Sequence, residues 1–356
     1  GRASAIALGS QRVLVGAGLW DQLDSVSVPI RDIRVADGDS LLFVHFDHLD
    51  LGGEPFGYMT ENRNYRHVLA GRFASLDSLH MRAPDCLNSL ERSTDGVIAT
   101  LQGGDIIKAQ LVVGADGRDS EVRKRAGITL TKWSYNQFGI VCSVEHKKPH
   151  RNIAYEHFLS SGPFAILPLE GNRSCVVWTE RSSLTPSIMS LDDTNFGAEV
   201  AERFGCFLGE LNVIGGRWSY PLSLQIASRS SCERLLLIAD AAHAMHPIAG
   251  QGLNMGLRDV AALAEVLVET KRLGLDLGGR TGIEMYEKWR RFDNTIMLAT
   301  TDVLNRLFSN DLGPVRLIRD LGLGVVNNIP PLKRLLMRHA MGLVGDVPRL
   351  MRGQPL

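Results

Sequence analysis

The sequence predicts a chain of class α/β plus α+β: a parallel-sheet domain, an antiparallel-sheet domain and a C-terminal helical region. Three observations carry this. Two short apolar runs, "AQLVVGA" and "LLLIAD", each end in a turn that bears an acid, as strands buried on both faces do. Longer, looser alternations fill residues 138 to 180, the pattern of antiparallel strands. After residue 254 the apolar residues fall at helical spacing almost to the end.

In chain order, residues 1 to 20 place Ala5, Leu8, Val13 and Leu14 at helical spacing, with Trp20 beyond, and predict a helix. "VSVPIRDIRVADGDSLLFVHF" shortens to a period near two and predicts paired strands with a turn near Asp37-Gly38. "ENRNYRHVLAGRFASL" returns to helical spacing. "GVIATLQGGDIIKAQLVVGADG" predicts a hairpin turning near Gly103-Gly104-Asp105, then the buried strand Leu111 to Val113. "FGIVCSVEH" and "IAYEHFLSSGPFAILPLEGNRSCVVWTE" predict a second, antiparallel sheet with turns at Gly162-Pro163 and Gly171-Asn172.

Composition narrows the function classes. The 356 residues are 44% hydrophobic, enough for a large core. Lysine plus arginine equals aspartate plus glutamate at 39 each, so no global field recruits nucleic acid or an anionic membrane. Cys86, Cys142, Cys175, Cys206 and Cys232 lie far apart without zinc spacing, as expected for reduced thiols in a cytosolic protein. No apolar run approaches the roughly eighteen residues that span a bilayer. "GRASAIALGSQRVL" has no signal-peptide core and no initiator methionine, so the chain is expected to begin inside a longer protein.

The chemistry concentrates in two turns. In "LVVGADGRDSEVRKRAGI" the strand runs into Gly114-Ala115-Asp116-Gly117, and Ser120 is placed to cap a helix over Glu121 to Arg125. Ligands of open α/β sheets bind beyond such strand ends. Asp116 can accept hydrogen bonds from a sugar hydroxyl and Gly117 allows close backbone approach; the alternative is a plain Asp-Gly turn. In "LLLIADAAHAMHPIAGQGLNMGLRDVAAL" Asp240 ends the strand, Pro247 fixes the loop path, and Gly250-Gln251-Gly252 exposes amide groups. A helix follows from Asn254, with Met255, Leu257, Val260, Leu263 and Leu267 in phase. Its start offers unpaired N–H groups and a positive dipole end, suited to a large ligand with hydroxyls and negative charge. His243 and His246 have no third ligand nearby, so they are expected to orient the loop or line the pocket, and no metal is assigned.

Together, "VVGADGRDSEVR" and "ADAAHAMHPIAGQGLNMGLRDVAALAEVL" resemble two fingerprints of the flavin-dependent aromatic hydroxylases with the p-hydroxybenzoate hydroxylase fold. With "GYMTENRNYRHVL" and "GPFAILPLEGNRSCVVWTE", the chain is similar to the ubiquinone-biosynthesis, 2-polyprenylphenol hydroxylase group from about Ala3 to the C-terminus. The resemblance implies FAD as cofactor, NAD(P)H as reductant, and hydroxylation of a prenylated phenol by O2. Asp116 and Gly117 would help hold the dinucleotide, and Asp240 the ribityl or pyrophosphate region. Pro247, Gly250, Gln251, Gly252, Leu253 and Asn254 would wrap the isoalloxazine. Arg63, with Arg66 as second candidate, would reach the phosphates; the alternative is an ordinary solvated arginine. No catalytic acid or base is assigned, because the cofactor performs the hard step while the protein positions the ring and excludes water.

The implied domains are a discontinuous FAD-binding domain (1–24, 81–132, 232–272), a mostly substrate-facing domain (25–80, 133–231) and a helical region (273–356). Phe164 and Trp178 either face the substrate or pack the core. "PPLKRLLMRHAMGLVGDVPRLMRGQPL" mixes Leu332, Leu335, Leu336 and Met337 with Lys333, Arg334, Arg338 and Arg349. It is either a peripheral membrane or partner helix or a core-packing one with a basic outer face. The expected setting is the cytoplasm, with peripheral contact at the inner membrane face and other ubiquinone-pathway proteins.

Two departures from the family stand out. The opening strand-GxGxxG-helix unit is absent: "VLVGAGLW" supplies only Gly16 and Gly18, and "GRASAIAL" resembles the segment after that unit. The chain is thus expected to be the family minus one βαβ opening, with weakened adenosine contacts, which leaves a flavin-free scaffold subunit as the alternative function. A hydroxylase of another aromatic is a third. Second, Ala239 stands where the family has glycine before the acid, costing on the order of 1 kcal/mol if positive φ is required there and nothing otherwise.

Overall fold

The first element corrects the first expectation: Ala3–Ala7 is a strand, and helix begins only at Leu8. In this computed structural model, which describes residues 2–38, 43–245, 250–308 and 327–356, that strand pairs antiparallel with Gly57–Glu61, Ala3 opposite Glu61 and Ala7 opposite Gly57. The approach is close: a Cβ on Gly57 would lie 2.3 Å from the Ile6 carbonyl oxygen. A partner more than fifty positions away overrides the local helical spacing.

Strand β1 (Ala3–Ala7) leads into helices α1 (Leu8–Gly16) and α2 (Trp20–Asp24). Strands β2 (Ser27–Ile30), β3 (Asp32–Asp37) and β4 (Phe43–Asp47) follow, and β5 (Gly57–Glu61) runs straight into α3 (Asn62–Ala74). Strands β6 (Leu87–Arg92), β7 (Val97–Leu101) and β8 (Ile106–Ala109) make a small antiparallel sheet. β9 (Val112–Gly114) and α4 (Glu121–Arg125) carry the first turn motif. The largest sheet draws on β10 (Leu130–His146), β11 (Ile153–Leu159), β12 (Gly162–Leu169), β13 (Arg173–Arg181) and β14 (Leu211–Ala227). Helices α5 (Thr185–Ser190) and α6 (Asp193–Phe204) lie between the last two strands. Strands β15 (Ser231–Cys232), β16 (Leu235–Leu237) and β17 (His243–Ala244) precede α7 (Gln251–Arg272), α8 (Arg280–Phe308) and α9 (Pro330–Ala340).

The large sheet has the order β17-β14-β10-β13-β12-β11-β3-β4, antiparallel except for the parallel pair β3–β11. Its two faces are buried against different partners. The outer face places Ile140, Val176, Phe164 and Trp178 against Phe196, Val200 and Phe204 of α6. Phe164 and Trp178 are both fully buried there, so of the two roles open to them core packing is the one observed. The inner face places Val141, Ala154, Leu169 and Cys175 against Leu8 of α1, Met59 of β5 and Met337 of α9. It therefore looks toward the layer that carries the two turn motifs.

Of the two strands expected to be buried on both faces, β16 is: Leu235, Leu236 and Leu237 are at most 1% exposed. β9 is not, and Val113 is 36% exposed. Among the described residues β9 pairs only with β16, in the order β15-β16-β9, and an unpaired strand edge leaves side chains in water.

Candidate cofactor site

Strands β9 and β16 run parallel, with Val112 opposite Leu235 and Gly114 opposite Leu237, so both acid-bearing turns emerge side by side from one sheet end. Gly114 is demanded by packing, since a Cβ there would meet Leu237 and Val122 side-chain carbons at 2.8 and 2.9 Å. Beyond it, the Asp116 carboxylate accepts hydrogen bonds from the Ser120 hydroxyl and from Val122 N at 3.0 Å. Ser120 caps α4 as expected, its Oγ accepting from Arg123 N at 2.9 Å. Asp116 therefore builds the turn itself, and two lone-pair sites of its carboxylate remain for an outside donor. Gly117 sits at φ 82° with nothing within 4 Å of where a Cβ would be.

Arg123, only 3% exposed, ties the turns together. Its guanidinium donates to Ala241 O and to Arg118 O, both at 2.8 Å. Arg118 in turn lies 3.6 Å from the Asp240 carboxylate, which is half exposed and so available to a ligand. The residue before it settles the question raised by the sequence: Ala239 has φ 50°, the left-handed region that disfavours a side chain. Its methyl fits because position 256 is glycine; a Cβ on Gly256 would come within 2.8 Å of Ala239 Cβ.

What holds Ala239 in that conformation is Asp259, in the middle of α7 and fully buried. Its carboxylate accepts from Ala239 N at 2.9 Å, from Arg290 Nε of α8 at 2.7 Å, and is 2.7 Å from His243 Nε2. Burial would raise the pKa of this carboxyl, but His243 and then Arg290 outweigh burial and hold it well below the usual range. His243 thus ties the loop to α7 through Asp259. Sequence reasoning missed Asp259, Arg290 and Arg123. The signal for Asp259 was present: a charged residue in phase with the buried stripe Met255, Ala262, Val266.

Helix α7 starts at Gln251, three residues earlier than expected, after Gly250 at φ 62°. Its N-cap position is Gly250, which has no side chain to cap the helix. Gly252 has nothing within 4 Å of a Cβ position, whereas Leu253 packs inward with Ile6, Trp20 and Tyr58. Asn254 turns away from the helix mouth: its Oδ1 accepts from Ala7 N at 2.8 Å, and its Nδ2 donates to Ala5 O and Gly250 O at 3.0 and 3.1 Å. It fastens α7 to one edge of β1. Pro247 and His246 lie outside the described residues. Arg63, at the first turn of α3 near the opposite end of β1, is exposed and its Nε donates to Glu61 at 2.8 Å. Arg66 is exposed as well. The structure thus places Asp116, Gly117 and Asp240 at one sheet end, sets Ala239 against Gly256 of α7 and Gly250 against Ala5, and keeps Arg63 beyond the other end of β1.

This is an arrangement a dinucleotide fits: two open glycine positions, a helix N-terminus for negative charge, and half-exposed Asp240 for hydroxyls. Comparison with known proteins agrees. Residues 1–291 match the FAD binding domain family. The chain is 54% identical to the ubiquinone hydroxylase UbiL of Rhodospirillum rubrum over 100% of its own length and 83% of that protein. It is 34% identical to the 3-demethoxyubiquinol 3-hydroxylase of Escherichia coli, covering 96% of this chain and 87% of that one. In fold it is similar to the p-nitrophenol 4-monooxygenase PnpA of Pseudomonas putida, with TM-score 0.79 and 19% identity over 97% of this chain and 89% of that one. It is likewise similar to HpxO of Klebsiella pneumoniae with FAD and uric acid, with TM-score 0.74 and 15% identity over 100% of this chain and 88% of that one. The chain belongs to the FAD binding domain family and is a flavin-dependent monooxygenase of the ubiquinone-hydroxylase group.

Proposed function

We propose that the chain hydroxylates a prenylated phenol in ubiquinone biosynthesis, using FAD, O2 and NAD(P)H. The observation that carries this is the pair of strand-end turns delivered in parallel register beside the N-terminal half of α7, where Ala239 meets Gly256. The names of the two relatives support the substrate class. When bound, FAD reduced by NAD(P)H supplies the oxygen atom that enters the ring. The protein's own residues do the rest. Asp240 and the outward sites of Asp116 hold hydroxyls of the cofactor, the α7 amides hold its negative charge, and Arg63 reaches its phosphates. Gly250 and Gly252 let the backbone approach the ring system, and the inner face of the large sheet forms the substrate wall. The cofactor layer on this reading comprises 1–24, 81–132 and 232–272.

Two measurements test it. Titrating the purified protein with FAD and following visible absorption should show a bound flavin near unit stoichiometry. NAD(P)H oxidation with a short-chain prenylphenol should then yield a hydroxylated product. Flavin binding without product from any prenylphenol would move the assignment to another aromatic, and no flavin binding would sink it.

The prenyl tail implies a lipid contact, for which α9 is the surface we propose. Leu335 and Leu336 are 53% and 40% exposed beside exposed Arg334 and Arg338, an apolar strip with basic flanks suited to an anionic bilayer. No helix among the described residues is long and apolar enough to cross a membrane. Co-sedimentation with anionic vesicles at low salt should pellet the protein, and Leu335→Ser with Leu336→Ser should abolish it. Failure of the unmodified protein to pellet would overturn this contact.

A further inference from the structure

One half-buried carboxyl on the inner sheet face has no structural employment among the described residues. Pairing registers place Val141, Val177, Ala165, Glu156, Val35 and Val44 in a single row across β10, β13, β12, β11, β3 and β4. Directly paired residues point to the same side of a sheet, so all six share one face. Val141 packs with the cluster that includes Leu8 and Met59, and Val35 and Val44 pack with Phe158, which fixes that face as the inner one. Five of the six are small and apolar. Glu156 is the exception.

Among the described residues Glu156 has neither a hydrogen-bond partner nor an ion pair. Burial pushes its carboxyl up to about 7, with no cation offsetting it. Other titratable groups on this face or on elements packed against it are Asp37 of β3, Cys175 of β13, Tyr220 of β14, Glu61 of β5 and Asp302 of α8. The cations on that side are engaged: Arg2 lies over the Tyr220 ring, Arg63 and Arg173 pair with Glu61, and Lys333 pairs with Asp50. A carboxyl kept in an apolar row without a partner costs stability, and such groups concentrate where chemistry uses them.

We propose that Glu156 is a catalytic residue of the hydroxylation, taking the proton of the substrate's phenolic hydroxyl; this rests on the inner sheet face being the substrate wall. The O–H bond breaks, the proton moves to a Glu156 carboxylate oxygen, and the bonding pair stays on the phenolic oxygen. The ring so enriched is the better acceptor for the electrophilic oxygen that the cofactor supplies. As the new C–O bond forms, the attacked ring carbon gives up its hydrogen as a proton, which leaves with the second oxygen atom of O2 as water, and the proton held on Glu156 returns to the phenolate oxygen. The apolar neighbours serve two ends: they seat the ring, and they keep the carboxyl's affinity for protons high enough for it to act as a base near neutral pH.

The test uses the FAD-loaded enzyme with a short-chain prenylphenol and compares Glu156→Gln and Glu156→Asp with the unmodified chain. Expected for Glu156→Gln are unchanged flavin content, unchanged flavin reduction by NAD(P)H, and hydroxylation slowed on the order of 100-fold. More of the reductant should be lost as peroxide. The unmodified rate should rise with pH through about 7, where the carboxylate forms, and that rise should vanish in Glu156→Gln and persist in Glu156→Asp. Turnover and pH profile in Glu156→Gln equal to the unmodified enzyme would overturn the assignment while leaving the function standing. Absence of any hydroxylated product from the unmodified holoenzyme would overturn both. Ligand-free melting temperatures separate misfolding from lost chemistry, because Glu156→Gln removes an unpaired charge and should melt no lower than the parent.

Discussion

Asp259 is a fully buried carboxyl and Glu156 a half-buried one, and they are driven in opposite directions. Asp259 sits at the junction of α7, α8 and the Ala239 turn, where one backbone amide, one imidazole and one guanidinium converge on it. Glu156 sits in a row of valines and alanine with no partner. Burial opposes charge at both; partners decide the outcome. The first carboxyl is held ionised and serves as scaffolding. The second is held near its neutral form at neutral pH, which suits proton transfer and costs stability. Their pH signatures differ accordingly. The depressed Asp259 contributes stability present above its unfolded pKa and lost as pH falls toward its folded one. The raised Glu156 contributes stability present below its unfolded pKa and lost as pH rises through about 7.

The strongest way to break this contrast is to remove Asp259. Asp259→Ala removes the acceptor shared by Ala239 N, His243 and Arg290, leaving Arg290 only Asp293 as a counter-charge, and should cost about 3–5 kcal/mol in denaturant unfolding. A loss below about 1 kcal/mol would mean the network is not a scaffold. Next in size and opposite in sign, Glu156→Gln should stabilise the ligand-free protein by about 2 kcal/mol above neutral pH. That gain should shrink toward zero as pH falls to the ordinary carboxyl range, read as melting temperature against pH. A gain independent of pH would mean Glu156 does not titrate as described.

Smaller effects sharpen the picture of the Ala239 turn. Gly256→Ala should cost about 1–3 kcal/mol through its contact with the Ala239 methyl. Adding Ala239→Gly should recover most of that, and a double-mutant cycle with no coupling would refute the contact. Ala239→Gly alone should stabilise by roughly 0.5–1 kcal/mol, the relief of a left-handed alanine less the added freedom of the unfolded chain.

The sequence carried the local half of this molecule. Ser120 capping α4, the hairpin at Gly103-Gly104, the buried strand Leu235–Leu237 and the helix after Gly250 all depend on neighbours a few residues away, and all are found. What was not readable depends on distant partners. β1 is a strand because β5 pairs with it, and β9 is half-exposed because β16 covers only one of its edges among the described residues. In "IAYEHFL" the alternation predicts a strand, yet nothing local says that Glu156 faces the apolar row rather than water. Asp259 was legible as an anomaly within an apolar stripe, but its partners come from residues 239, 243, 290 and 294.

Asn254 reaches back 247 positions to bond Ala7, and slightly farther to Ala5. During synthesis that clasp has no partner until α7 has left the ribosome, while the hairpins from β10 to β13 need only near neighbours and can close well before. The central hairpins of the large sheet can therefore close while β1 still waits for Asn254, so the two layers mature in sequence rather than together.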